Sequence, residues 1–249
     1  MAYIKQYWEN KDDRKTKAIA HTKEMQDRYA NEISASIANT KVYDTDFLFE
    51  REKEHTTDIE IVDMDSVSAI CKYTDGKTAV LNFASYKHPG GMFLNGSKAQ
   101  EECLCHESFL YNVLESQKAY YSWNNAHKNK ALYLNRALYS PNILFRNSVS
   151  CDVITCACPN KSAAQKYQNV SNAENSKVLD SRIKFVLDIA KDNQIDTLIL
   201  GAYGAGVFGQ DATEVAMIFQ KYLREYGFKK VVFAIPAGLN LDKFKKVFR

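Results

Sequence analysis

Short apolar runs alternate with segments of helical periodicity along most of the chain, and this alternation restricts the possible folds more than any other feature. Seven runs are predicted to form strands: residues 42–49, 59–62, 78–83, 137–146, 152–158, 197–200 and 229–235. Apolar residues recur at helical spacing over residues 66–72, 100–116, 172–194, 211–226 and 242–248. Such alternation predicts an α/β fold, in which a mixed β-sheet carries helices on both faces.

A further helical pattern precedes the first predicted strand. Residues 12–38 repeat apolar side chains at helical spacing, namely Ile19, Met25, Tyr29, Ile33 and Ile37. We therefore predict an N-terminal helical extension over residues 1–40, packed on a single structural unit formed by residues 41–249. A chain of 249 residues is long enough to bury a sizeable core.

The net charge of the chain is only +3 at pH 7. A dedicated nucleic-acid binder usually has a strong basic excess, so no nucleic-acid surface is predicted. No segment approaches the ~20 apolar residues that a membrane span needs, and the N-terminal residues lack the apolar run of a signal peptide. The sequence predicts a cytoplasmic protein with no membrane contact, and we expect a monomer.

The chain contains six cysteines, which are Cys71, Cys103, Cys105, Cys151, Cys156 and Cys158. In a cytoplasmic protein they are expected to be reduced thiols. No pair has the spacing of a zinc site, and no histidine pair supplies the remaining ligands. We predict that all six are buried and that the protein holds no metal and needs no cofactor.

The segment from Asn82 to Glu107 joins a predicted strand, a glycine loop and a predicted helix. Gly90 and Gly91 let backbone approach another group closely, because neither residue has a Cβ atom. The helix that follows begins with the two adjacent carboxylates Glu101 and Glu102. Acidic residues are common at helix N-termini and usually have no catalytic or binding function there. Next to the glycine loop, however, Glu101 and Glu102 indicate a functional site.

A second glycine loop, G-A-Y-G-A-G-V-F-G, runs from Gly201 to Gly209 after the predicted strand 197–200. Exposed amides and the N-terminus of a helix opening near Asp211 would suit a diphosphate. The spacing G-x-G-x-x-G also matches the dinucleotide fingerprint. That fold places the motif after its first strand and an acid after the next one, whereas this loop lies late in the chain.

Both loops follow predicted strands, and open α/β sheets bind ligands at the carboxyl ends of their strands. One loop suits a diphosphate, and the other carries carboxylates. A nucleotide diphosphate attached to a hydrolysable group fits both loops.

These segments together resemble the microbial poly(ADP-ribose) glycohydrolases, a branch of the macrodomain fold. The family signature, glycines followed by a spacer and Gln-Glu-Glu, is present as Pro89-Gly90-Gly91-Met92 and Gln100-Glu101-Glu102. The similarity extends over nearly the whole chain, and its other parts are L-N-F-A-S before the first loop, Leu138-Tyr139-Ser140-Pro141, V-I-T-C-A-C-P-N at 153–160 and the second glycine loop. The resemblance implies a macrodomain-like sheet and the release of ADP-ribose from poly(ADP-ribose) on modified macromolecules.

The resemblance also implies roles for individual residues. Glu102 corresponds to the catalytic acid, and Glu101 and Gln100 to its neighbours that hold the ribose. The remaining implied ligand contacts are Gly90 and Gly91 against the diphosphate, Asn82 and Ser85 at the distal ribose, Gly204, Ala205, Gly206 and Val207 in the second diphosphate loop, and Phe208 beside the terminal ribose.

Adjacent helix positions diverge by about 100°, so Glu101 and Glu102 are not expected to flank one sugar as a glycosidase pair does. We expect Glu102 to act as acid and then as base for water, while Glu101 anchors hydroxyl groups. To act first as an acid, Glu102 must hold a proton. Burial and neighbouring negative charge must therefore raise its pKa more than the helix dipole, which favours an ionised carboxylate, lowers it.

Met92 occupies the position where the family usually has a third glycine. If the loop requires positive φ there, Met92 is strained; otherwise it reshapes the pocket wall. Three alternatives stay open, of which the first follows from an altered access at Met92 and the third rests only on the fingerprint at Gly204. The first is a hydrolase of mono-ADP-ribosylated protein or nucleic acid, the second is a non-catalytic ADP-ribose-binding macrodomain, and the third is a nicotinamide-dependent oxidoreductase.

Overall fold

The computed structural model describes residues 10–45, 47, 49 and 56–249. Within these residues, seven strands form one mixed sheet in the order β1-β4-β5-β3-β6-β7-β2. The strands are β1 (Lys41–Tyr43), β2 (Asp58–Val62), β3 (Thr78–Phe83), β4 (Ala137–Leu144), β5 (Ser150–Cys156), β6 (Thr197–Leu200) and β7 (Lys230–Ala234). The five strands β5, β3, β6, β7 and β2 run parallel, and β4 and β1 add antiparallel pairs at one edge.

Ten helices occupy the described part of the chain. They are α1 (Lys11–Arg28), α2 (Ala30–Asn39), α3 (Ser66–Tyr73), α4 (Gln100–His106), α5 (Leu110–Ser116), α6 (Lys118–Ala126), α7 (Lys161–Gln168), α8 (Asn172–Asp192), α9 (Ala212–Leu223) and α10 (Leu239–Val247). With the seven strands they confirm the predicted α/β class.

The sheet separates two apolar cores, because successive side chains of a strand point to opposite faces. In β3, Ala79 and Leu81 face one core and Val80 faces the other. Helices α8, α9 and α10 cover the first face, and α1 to α5 cover the second. The central strands are buried on both faces, as expected for the parallel part of an α/β sheet.

Two predicted elements differ from the structure by more than a shift of up to three residues at their ends. The first strand ends at Tyr43 instead of residue 49, and residues 46 and 48 of that prediction lie outside the described residues. The predicted helix 100–116 is broken into α4 and α5 at residues 107–109. Ser108 causes the break, because its hydroxyl donates to the carbonyl of Leu104 and accepts from the amide of Leu110.

Helices α6 and α7 were not predicted. The signal for α7 was present, since Asn160 caps it by accepting the amide of Ala163 at 3.0 Å. The prediction of six buried cysteines is wrong for two of them. Cys71 and Cys103 are only partly buried, while the other four are buried.

Helix α1 is tied to the loop between β3 and α4. The Nε atom of Arg14, a buried side chain, donates to the carbonyl of Gly96 at 2.7 Å. Gly96 has φ +74°, and a Cβ at this position would collide with the carbonyl oxygen of Lys11. The close approach of α1 to this loop therefore requires glycine at residue 96.

We expect Gly96→Ala to lower the free energy of unfolding by about 1–3 kcal/mol, since it adds strain and a backbone collision. Gly206→Ala is the matched control, because a Cβ there meets no atom within 4 Å and Gly206 has no positive φ. The control should stay within about 0.5 kcal/mol of the parent in urea denaturation. Equal midpoints for the two variants would contradict the proposed docking of α1.

Candidate active site

The candidate site lies at the carboxyl end of β3, where residues 84–99 lead into α4. The first turn of α4 carries Gln100, Glu101 and Glu102, and both carboxylates are buried. No side chain caps α4, because its N-cap residue is Ala99. Carboxylates rarely lie in a protein interior unless hydrogen bonds compensate for lost hydration, so their partners determine what the site can do.

Glu101 is 3% exposed and is held by donors from the end of β3. Its Oε2 accepts the amide of Ser85 at 2.6 Å, and its Oε1 accepts Asn82 Nδ2 at 3.3 Å. The backbone of Gly90, like these donors, lowers the pKa of this carboxyl group. Burial, followed by the charge of Glu102, raises the pKa of Glu101 to about 8 despite these donors.

Glu102 is 6% exposed and has a different environment. Its Oε1 accepts the amide of Met92 at 2.9 Å. Its Oε2 is buried and has no hydrogen-bond partner among the residues that the structure describes. A buried oxygen without a donor is the exception in folded proteins and points to a function for that atom.

The two carboxylates converge on Gly91, although neighbouring helix positions diverge. A Cβ at Gly91 would lie 2.5 Å from Glu102 Oε1 and 2.9 Å from Glu101 Oε2. At Gly90 a Cβ would lie 2.7 Å from the ring of Tyr111. Both glycines have positive φ, +63° at Gly90 and +60° at Gly91. The protein itself therefore requires them, independently of any ligand.

Met92 is not strained in this loop. Its φ is −110° and its ψ is 31°, values that any residue adopts. Its side chain is 49% exposed, and only its backbone amide contacts Glu102. A third glycine is consequently not needed for the backbone at this position.

Gln100 connects β3 to α4. Its Oε1 accepts the amide of Phe83 at 2.8 Å, and its Nε2 donates to the carbonyl of Leu81 at 2.8 Å. The second hydrogen of Nε2 is directed at Ser66 Oγ, 3.1 Å away. Since both donors are used within the protein, the contacts of Gln100 fix the position of the two carboxylates that follow it.

Asn82 is fully buried and lies beside Glu101. Its Nδ2 donates to Glu101 and also lies 3.3 Å from Thr155 Oγ1 on the neighbouring strand β5. Its Oδ1 has no partner within the described part of the chain. Thr155 was not predicted as a site residue, because its proximity depends on the pairing of Asn82 with Thr155 across β3 and β5.

The second glycine loop follows β6 and faces the first one. Gly204 and Gly209 have positive φ, and Cβ atoms there would collide with Cys158 Sγ and Ser162 Oγ. Gly206 is different, since its missing Cβ leaves open space. Packing therefore explains Gly204 and Gly209, whereas Gly206 leaves room for another molecule.

Three consecutive amides of this loop are available to a ligand. Ala205, Gly209 and Gln210 donate to carbonyls within the loop. In the described residues, the amides of Gly206, Val207 and Phe208 have no such acceptor. Successive unpaired amides form a concave anion-binding surface.

The N-terminus of α9 does not extend this surface. The carboxylate of Asp211 caps the helix by accepting the amides of Thr213 and Glu214 at 2.7 and 3.2 Å. Lys243 holds the pKa of Asp211 at about 2, so the cap is ionised at neutral pH. Two amides at this helix N-terminus are therefore already paired, and the unpaired amides of the loop are the stronger candidates for a diphosphate; the expected diphosphate contact stays a prediction.

Phe208 belongs to an aromatic group that lies beyond the carboxylates. Its ring centroid lies 6.3 Å from that of Tyr133, which stacks on Tyr86 at 4.3 Å and 12°. Tyr86 directly follows Ser85 in the chain. Sequence reasoning identified Phe208 but not Tyr133, which lies 75 residues earlier without a local signal.

Two adjoining cavities lie between the second glycine loop and the start of α4. One, of about 310 Å³, contacts Gly204, Gly206, Val207 and Phe208. The other, of about 590 Å³, lies between Asp65 at the start of α3 and residues 234–240. Phe83, Gln100, Ala202 and Asn240 line both cavities. An elongated ligand can therefore extend from the loop amides into the larger cavity.

Within the described ranges, no group of three or more His, Cys, Asp and Glu side chains could hold a metal ion. Among the same residues, no helix has the length and apolar character of a membrane span. Neither observation tests the predictions about cofactors or cellular location.

Solved structures similar to this chain are bacterial poly(ADP-ribose) glycohydrolases. The enzyme from Thermomonospora curvata matches with a TM-score of 0.85 and 27% identity, covering 95% of this chain and 100% of the other. Its complex with the inhibitor ADP-HPD matches with a TM-score of 0.82 and 26% identity over 94% and 99% of the two chains. The Deinococcus radiodurans enzyme in complex with ADP-ribose matches with a TM-score of 0.79 and 27% identity over 88% and 97%.

No curated protein matches the chain. The family model "Microbial-type PARG, catalytic domain" matches residues 12–147, which is more than half of the sequence and includes both carboxylates. The chain therefore belongs to the microbial-type poly(ADP-ribose) glycohydrolase family.

Proposed function

We propose that this protein is a poly(ADP-ribose) glycohydrolase that hydrolyses ribose–ribose O-glycosidic bonds and releases ADP-ribose. The observation that carries the proposal is the buried carboxylate pair, in which Glu102 Oε2 is the one oxygen without a donor among the residues that the structure describes. Gln100, two residues before Glu102, lines the same cavity as the loop with the unpaired amides. The family match and the structural neighbours, solved with ADP-ribose and ADP-HPD, support the same activity.

The ligand is placed by matching its parts to the two loops and cavities. The diphosphate accepts hydrogen bonds from the amides of Gly206, Val207 and Phe208, and the absence of a Cβ at Gly206 lets it approach. The adenosine occupies the cavity of about 590 Å³. The distal ribose then lies between Phe208 and the carboxylates, near Asn82 and Ser85.

Glu102 is the general acid in this proposal. Its Oε2 delivers a proton to the leaving oxygen of the ribose–ribose bond, and the oxocarbenium-like sugar is attacked by water. Glu102 then accepts the proton of that water. Two buried carboxylates that converge on Gly91 repel each other when both are ionised, and Glu101, with a pKa raised to about 8, holds a proton near neutral pH. In the proposal Glu102 takes this proton from the neighbouring Glu101 carboxyl group before it protonates the leaving oxygen.

Glu101 and Gln100 act mainly by positioning. The hydrogen bonds of Glu101 hold the strand end at Ser85 and Asn82, and those of Gln100 hold the backbone of β3. Gly90 and Gly91 keep the loop in contact with the carboxylates, since the amide of Gly91 donates to the carbonyl of His88 and neither position has room for a Cβ. The same arrangement can present Glu101 to a ribose hydroxyl once the ligand displaces neighbouring side chains.

The half-exposed side chain of Met92 leaves the backbone contact to Glu102 intact. A polymeric substrate is therefore compatible with Met92, and nothing in the site favours a mono-ADP-ribosyl substrate or a non-catalytic binder. The cytoplasmic location, the monomeric state and the independence from metal remain predictions, as does the division into an extension over residues 1–40 and a catalytic unit over residues 41–249.

Replacing Glu102 by Gln should lower the turnover of poly(ADP-ribose) by about 10²–10⁴-fold, because the general acid is lost. ADP-ribose affinity should stay within a few-fold. Glu115→Gln, an exposed glutamate on α5, is the control and should retain full activity. Release of free ADP-ribose from automodified polymer measures turnover, and calorimetry measures binding. A Glu102→Gln variant that keeps most of the parent activity would contradict the assignment of Glu102 as the general acid.

Gly91→Ala and Met92→Ala test the geometry of the loop. A methyl group at residue 91 displaces Glu102 Oε1 and strains a backbone with φ +60°, so we expect hydrolysis to fall by at least about 10²-fold. Met92→Ala keeps the amide that binds Glu102 and should retain hydrolysis within a few-fold. Similar losses in both variants would show that the Met92 side chain, rather than the carboxylate geometry, controls activity.

Stability should depend on pH through Glu101. The unfolded chain loses this proton near pH 4.5, whereas the native protein keeps it up to about pH 8. The native state is therefore penalised progressively as pH rises through this window, by about 1 kcal/mol per pH unit. Glu101→Gln should remove this slope, while Glu115→Gln should retain it. Urea midpoints at pH 5, 6, 7 and 8 measure the difference, and parallel curves for parent and Glu101→Gln would contradict it.

A further inference from the structure

Lysine and histidine side chains are concentrated where the chain continues past the carboxylate site. Lys87 and His88 follow the strand end that holds Glu101, and His127, Lys128 and Lys130 follow α6. All five are at least partly exposed. We call these residues, Lys87, His88, His127, Lys128 and Lys130, the basic rim.

Hydrogen bonds bring the two segments of the basic rim together. Asn125 Nδ2 donates to the carbonyl of Lys87 at 3.1 Å, and Asn124 Nδ2 donates to that of Tyr86 at 2.9 Å. The hydroxyl of Tyr86 donates to the carbonyl of His127 at 3.1 Å. The loop after β3 and the turn after α6 therefore form one surface, although they are some forty residues apart in sequence.

The basic rim is continuous with the candidate active site. Tyr86 stacks on Tyr133, and Tyr133 packs on Phe208, the residue expected beside the terminal ribose. Four non-glycine residues in the turn after α6 have positive φ: Asn129, Lys130, Ala131 and Tyr133. Surrounding contacts hold the turn in this unfavourable conformation, including the bond from the amide of Asn160 to the carbonyl of Ala131 at 3.0 Å.

Negative charge is absent from the segments that build this surface. The sequence has no Asp or Glu between Asp75 and Glu101, and none between Glu115 and Asp152. The carboxylate of Glu174 accepts hydrogen bonds from the amide and the hydroxyl of Ser171 at the start of α8. These bonds lower the pKa of Glu174, and the charge of Lys130 adds a smaller effect in the same direction. The overall charge of only +3 therefore conceals a local excess of positive charge.

We propose that the basic rim binds the diphosphate groups of the poly(ADP-ribose) chain beyond the bond being cleaved. This inference rests on the proposed function. The adenosine end of the bound unit lies at the opposite end of the cleft, near Asp65 and Asn240, so the leaving chain departs past Glu102 towards Ser85 and Lys87. Each repeat of that chain carries a diphosphate, and lysines bind phosphates through charge and released counterions.

The test compares two triple variants with the same change in charge. The first is Lys87→Gln/Lys128→Gln/Lys130→Gln, and the control is Lys23→Gln/Lys245→Gln/Lys246→Gln, three exposed lysines on α1 and α10. We expect the first variant to raise KM for long poly(ADP-ribose) about 10-fold at low salt with kcat unchanged. Its plot of log KM against log salt should be flatter by up to about 2, from three contacts at roughly 0.7 each.

An ADP-ribosyl aryl glycoside separates this proposal from the proposed function, because its leaving group has no phosphate. Both triple variants should hydrolyse it within twofold of the parent. If the parent hydrolyses neither substrate, the proposed function fails. If it hydrolyses both and the two triple variants have equal KM for polymer, the basic rim is not a polymer site.

A single-stranded RNA oligonucleotide tests the competing partner. Poly(ADP-ribose) should bind the Glu102→Gln protein more tightly than RNA of equal charge at the same salt concentration. Tighter binding of RNA, lost in the Lys87→Gln/Lys128→Gln/Lys130→Gln variant, would assign the surface to nucleic acid and overturn the proposal.

Discussion

The burial of two adjacent carboxylates is the constraint around which this structure is arranged. Each needs donors to compensate for lost hydration, and the chain supplies them from backbone amides of residues 85–92. The loop must curl tightly over the start of α4 to do so, which explains the positive φ of Gly90 and Gly91. One oxygen, Glu102 Oε2, is left without a donor. Structural stability and the proposed proton transfer thus depend on the same few contacts.

Most of the fold could be predicted because each core strand is marked by its own short apolar run in the sequence. Residues 78–83 and 197–200 form strands with the predicted bounds, since each is a short apolar run buried on both faces. The break between α4 and α5 was not predictable from periodicity, which continues across Ser108. It results from side-chain hydrogen bonds of Ser108 that compete with the helix.

The position of the carboxylates could be predicted from sequence, but the reasons for the glycines could not. What a missing Cβ faces is a tertiary property: carboxylates at Gly91, a cysteine at Gly204 and open space at Gly206. The cap at Asp211 could be predicted from the sequence, because an aspartate three residues before a glutamate, here Glu214, is a common start of a helix. The basic rim was hidden, since its lysines come from segments that only hydrogen bonds between distant loops bring together.

The bond from Arg14 to Gly96 has a practical meaning for defining the catalytic unit. It joins residues 82 positions apart, and the turn that it holds follows directly on the amide that binds Glu102. Helix α1 thus supports the loop that holds Glu102, the proposed acid, even though no residue of α1 is among the candidate site residues. A fragment trimmed to the first strand of the sheet would keep every proposed catalytic side chain and still lose the alignment that makes them useful.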